Sequence, residues 1–75
     1  IEPGGVYMSG SHGEKTREYI TVTEGVLTIE CHGHTQTINK DQVYKFETDQ
    51  AHIYRNEGAE MVSCTCFFLD YTGLR

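Results

Sequence analysis

Apolar and polar residues alternate with a period of two along nearly the whole chain, and this pattern fits extended strands with one face buried, not helices. Glu18, Ile20 and Val22 fall on one side, with Tyr19, Thr21 and Thr23 on the other. Leu27, Ile29 and Cys31 share a side of the next run. The spacing predicts strands over 18–23, 26–31, 35–38, 42–46, 51–55 and 60–69. Between them lie residues suited to tight turns: Glu24-Gly25, His32-Gly33-His34, Asn39-Lys40-Asp41, Thr48-Asp49-Gln50 and Asn56-Glu57-Gly58. No window carries a helical stripe, and the single proline stands at the start. Short strands at regular spacing predict an all-β barrel or sandwich. Leu27 and Phe67 are expected in its core, as are most of Tyr44, Phe46 and Met61, and the tail 70–75 is expected to fray.

A chain of 75 residues makes one domain, expected over 1–75, with a thin core. It begins at Ile1-Glu2-Pro3 without a methionine, and is expected to be a fragment of something longer. Eleven acids against six bases give a net charge of -5, and the bases are scattered. Such a surface repels phosphate backbones, so any DNA binding would have to come from a domain outside this chain. No apolar run approaches the length that crosses a bilayer. Three cysteines, Cys31, Cys64 and Cys66, with no secretory signal fit a reducing compartment, and a cytoplasmic location is expected. Cys64 and Cys66 share a strand face, where a bridge between i and i+2 is difficult. With Phe67, Phe68 and Leu69 beside them, they read as small packing residues.

Two segments carry the residue types of chemistry. His12, Glu14 and Glu18 are separated by even numbers, so an unbroken strand turns them the same way. His52, Tyr54 and Asn56 share a face in the same manner. If the two segments meet inside a barrel, two histidines and one or two carboxylates can hold a divalent ion such as zinc, iron, manganese or nickel. The bland alternative is a hydrogen-bonded polar cluster in an empty barrel mouth, with Glu14 a solvated loop carboxylate. His32 and His34 imitate a His-x-His pair, but no carboxylate follows closely and they stand on a turn. They read as surface histidines.

These residues resemble the cupins, whose first motif runs glycine, a His-x-His pair, a glutamate and a closing glycine. His12 stands in the first histidine position, Glu14 where the family has its second histidine, Glu18 at the glutamate and Gly25 at the closing glycine. Gly5 fits the opening glycine only loosely. His52 and Asn56 match the second motif, whose glycines and proline are replaced near Asp41, Glu47 and Asp49. The resemblance implies a small antiparallel double-stranded β-helix, or jelly-roll barrel. It implies a metal set of His12, Glu14, Glu18 and His52, and ligand contacts from Glu18, His52, Tyr54 and Asn56.

A narrower likeness is carried by Tyr19 to Gly25, Leu27, Ile29, Phe46, Asp49, His52, Tyr54 and Asn56. This set is similar to the C-terminal sensor domain of XRE-type helix-turn-helix regulators of bacteria. The likeness implies a small-molecule effector in the barrel, DNA contacted only through a separate N-terminal domain, and a homodimer. The effector class stays open among an amino acid, a sugar and a polyamine-like compound. The competing expectation is a free-standing metal-dependent enzyme, a dioxygenase or isomerase. There His12, Glu18 and His52 hold the metal, and Glu14 or Tyr54 assists proton transfer. A third is a pairing domain without a ligand.

Overall fold

Alternation becomes a two-sheet structure in the computed structural model, which describes residues 1–10, 16–31, 33–47 and 50–70, the side chains of Thr16 and Asp70 apart. The strands are β1 (Val6–Ser9), β2 (Thr16–Glu24), β3 (Leu27–Cys31), β4 (His34–Ile38), β5 (Val43–Glu47), β6 (His52–Arg55) and β7 (Ser63–Asp70). One sheet has the order β1-β6-β3-β4 and the other β5-β2-β7, and every pairing is antiparallel. The β3–β4 hairpin stays in one sheet, whereas every other pair of consecutive strands lies in opposite sheets. This is the small jelly-roll barrel that the resemblance implies, and it falls within the all-β barrel or sandwich that the spacing predicts.

The inner faces follow from the registers. β2 lies between β5 and β7, so inward Glu18 has Phe46 on one side and Phe68 on the other. Ile20 stands between Tyr44 and Cys66 in the same way. In the facing sheet, Ile29 sits beside Tyr54 and Cys31 beside His52. Ile20, Val22, Leu27, Ile29, Ile38 and Val62 close the core between the layers.

Two connections depend on left-handed backbone. Gly25 has φ 79° and turns β2 into β3 across the sandwich. Asp41 has φ 70° in the turn between β4 and β5, where Gln42 N–H donates to Asn39 O at 3.1 Å. Aspartate is among the few non-glycine residues that enter this region readily. Both turns fall where turn chemistry predicts them. The expected turn at Thr48 and Asp49, and the tail 71–75, lie outside the described residues.

The structure departs from the sequence reading in three places. β1 was not expected, because Val6-Tyr7-Met8 is a short unalternating apolar run among glycines. It forms by pairing on β6, with Tyr7 opposite Tyr54 and Ser9 opposite His52. β7 starts at Ser63, later than alternation suggests. The residue before it, Val62, is instead clamped to the start of the chain: its N–H donates to Ile1 O at 2.9 Å, and the Ile1 amino group donates to Val62 O at 2.6 Å. Finally, Phe67 is not core. It is 61% exposed, because the β7 register sets it opposite outward-facing Tyr19, on which it stacks with ring centroids 5.0 Å apart. Met61 is exposed as well.

Candidate functional site

Glu18 is the anomaly of the interior. It sits mid-strand in β2 and is only 1% exposed, among aromatic and apolar neighbours. A buried carboxylate needs hydrogen-bond partners to offset its lost hydration. Tyr54, reaching across from β6, donates its hydroxyl to Glu18 Oε1. His52 Nε2 approaches the same oxygen at 3.6 Å, within ion-pair reach and beyond a good hydrogen bond. Among the described residues no hydrogen bond reaches Glu18 Oε2, although the atom is buried.

His52 is held by packing on several sides. Its ring meets Phe46 edge-on at 5.2 Å and Tyr54 edge-on at 5.1 Å. Its Nδ1 lies 3.2 Å from Gln50 O. A carbonyl can only accept, so Nδ1 carries the hydrogen of that bond and Nε2 is the nitrogen turned toward Glu18. Burial, reinforced by the bond to Glu18, pushes the Tyr54 hydroxyl above its ordinary range. It therefore remains a donor at neutral pH.

Beside this cluster a cavity of about 320 Å³ opens at the edge where β1 and β7 approach each other. Glu18, Ile20, Tyr54, Cys64, Cys66 and Phe68 line it together with Tyr7, Met8 and Ser9 of β1. Partial burial, and then the Glu18 carboxylate, push the Cys66 thiol up to about 11. Cys64 is raised by burial too, with the positive chain terminus opposing. Both thiols are therefore neutral groups in the wall at physiological pH.

The structure thus brings Glu18, His52 and Tyr54 together. Asn56 is placed elsewhere. Its Nδ2 donates to Ile1 O at 2.9 Å and Glu60 O at 2.7 Å, and its Oδ1 accepts from Gly58 N–H at 3.0 Å. The amide is consumed in fixing the β6–β7 loop against the chain start, and it does not line the cavity. His12 and Glu14 lie outside the described residues, as does His32, while His34 is exposed. For a metal, Glu18 and His52 supply a carboxylate and an imidazole of suitable type, and an Nδ1–H bonded to a carbonyl is how ligating histidines are commonly oriented. Among the described residues no third histidine, cysteine or acid completes a metal-holding group.

Sequence reasoning missed Cys64, Cys66 and Phe68 as cavity residues. Their common side was legible from alternation in β7, but only the pairing with β2 turns it toward Glu18.

Residues 1–68 match the Cupin_2 family, a cupin domain. This chain belongs to the cupin domain family. Among curated proteins, the cupin domain is 34% identical over 59 residues to the HTH-type transcriptional regulator SutR of Escherichia coli K12, a match covering 79% of the chain. It spans about 33% of that regulator's length. In structure it resembles the Cupin_2 domain of an XRE family transcriptional regulator from Enterobacter cloacae, with a TM-score of 0.86 at 28% identity. That likeness covers 91% of the chain and 72% of the other. An HTH_3 family transcriptional regulator from Vibrio cholerae shares the fold, with a TM-score of 0.79 at 22% identity over 95% of the chain and 39% of the other. The cupin domain is thus related to those of XRE-family regulators. No helix among the described residues is long and apolar enough to cross a membrane.

Proposed function

We propose that this cupin domain is the effector-binding part of a bacterial transcription regulator, with a small molecule entering the cavity and contacting Glu18 and Tyr54. The observation that carries this reading is Glu18, a buried residue of the cavity lining whose Oε2 finds no hydrogen-bond partner among the described residues. A ligand donor would satisfy it. The regulators to which the chain is similar supply the context: DNA is contacted by a helix-turn-helix domain outside this chain, in the reducing cytoplasm, and the cupin domain reports occupancy. Two copies pair, and occupancy favours one arrangement of the pair, since a ligand shifts only an equilibrium between states it binds unequally.

The test is Glu18→Ala in the full-length regulator. Effector response is lost while operator binding is retained, measured with a promoter reporter and a gel-shift assay. A response that survives the substitution removes Glu18 from the site.

A second reading is favoured by the approach of His52 Nε2 to Glu18. A divalent ion would be held by these two with His12 and Glu14, and would supply Lewis-acid chemistry or an anchor for the effector. Elemental analysis of purified protein decides it: near-stoichiometric iron, manganese, zinc or nickel that disappears in Glu18→Gln supports the metal centre.

A further inference from the structure

Resting on the effector-binding reading, we propose that the cavity selects a compact organic monocation: a primary ammonium on a short apolar body, its N–H groups donating to Glu18 Oε2. The volume, about 320 Å³, stands at the low end of the roughly 300–1,000 Å³ usual for ligand sites, so the body is small.

The lining decides the charge. Among the described residues that line the cavity, Glu18 is the one with a charged side chain. The others are aliphatic, aromatic, a hydroxyl and two thiols. Those thiols are held neutral, by burial first and by Glu18 as well. The Ile1 amino group, at the cavity's edge, is already bonded to Val62 O at 2.6 Å. An anionic ligand would therefore meet a carboxylate, with no side-chain cation among the described lining residues to receive it. A neutral hydroxyl would satisfy Oε2 but bring no charge to a carboxylate whose nearest ionisable neighbour besides Tyr54, the His52 ring, approaches only the other oxygen, at 3.6 Å. An ammonium does both, through a charge-assisted bond about twice as strong as a neutral one.

Two further features suit a cation. Tyr54 and Phe68 flank Glu18 and present aromatic surface to the cavity, favourable for a positive group and its alkyl stem. The chain's net charge of -5 raises the local concentration of cations. The same lining disfavours a zwitterionic amino acid, whose carboxylate would find no cationic side chain among the described lining residues. Selection thus falls on amines lacking a neighbouring carboxylate.

The experiment is an amide NMR titration of the chain with three probes on one carbon skeleton, n-butylammonium chloride, butan-1-ol and sodium butyrate, after removal of divalent ions with a chelator. Butylammonium is expected to shift the amides of Glu18, Tyr54 and Cys66 saturably and to bind at least tenfold more tightly than butanol, with butyrate silent. In Glu18→Gln, isosteric but uncharged, the preference for amine over alcohol should vanish. If that variant does not fold, the amine-to-alcohol ratio on the unaltered chain remains decisive. Butanol or butyrate binding as tightly as the amine overturns the cationic class while leaving effector binding in place. Silence from all three overturns both. Added Zn²⁺ that shifts the same amides and blocks the amine assigns Glu18 to a metal and overturns the proposal.

Discussion

Single side chains show how closely this small barrel is determined. At Gly25, a Cβ would meet Met61 O at 2.5 Å, on a backbone whose φ of 79° already disfavours it. Gly25→Ala should lower unfolding free energy by at least roughly 1–2 kcal/mol, the usual cost of left-handed backbone for an L-residue, as read from urea denaturation. At Cys66 the effect is one of pH. The thiol is pushed up to about 11 in the fold, by partial burial first and Glu18 second. In the unfolded chain it ionises near pH 8.5, roughly the ordinary value for a solvated cysteine. Between these values the unfolded state holds fewer protons than the native state, so stability falls as pH rises. Below them the group contributes no pH dependence. Urea midpoints should drop between about pH 8.5 and pH 11, and Cys66→Ser should flatten that slope.

At the scale of elements, β3 and β7 separate hydrophobicity from burial. Leu27 is fully buried between the sheets, while Phe67 stands on the outer face against Tyr19. Leu27→Ala is expected to cost about 2–5 kcal/mol through lost burial and a cavity. Phe67→Ala should cost about 0.5–1.5 kcal/mol, the worth of an aromatic pair beyond its area. Paired thermal and urea unfolding curves check both, and equal losses would contradict the β7 register. The alternation of β2 could be read directly, since Glu18, Ile20 and Val22 all point inward. That of β7 could not be assigned a side: Cys64, Cys66 and Phe68 alternate with Thr65, Phe67 and Leu69, and both sets are apolar enough to be core. β1 escaped because an edge strand of four residues has its pattern set by the strand it pairs with.

At the scale of the whole molecule, six buried apolar residues among those described make a slender core, and Val6, Tyr7 and Met8 leave an apolar edge in solvent. An exposed apolar edge strand invites pairing with another strand. The proposed homodimer would cover such a surface, so Met8→Lys should weaken self-association without altering the fold, as read by sedimentation equilibrium and circular dichroism. An unchanged association constant would place the dimer contact elsewhere. The acidic balance acts at this scale too: it argues against direct DNA contact by this domain and favours cationic small molecules.

What the sequence determined by itself was the local grammar: period two, turns at Gly25 and Asp41, and a glutamate and histidine on inward faces with cupin-like spacing. Those features depend on neighbours a few residues apart, and strand geometry makes them readable. The tertiary structure alone decided which inward groups meet. Glu18, Tyr54 and Cys66 come from three strands in two sheets, and their meeting depends on register across the barrel. Asn56 illustrates the same limit: the spacing sets it on one face with His52, but the strand ends at Arg55, and the carbonyls of Ile1 and Glu60 claim its amide.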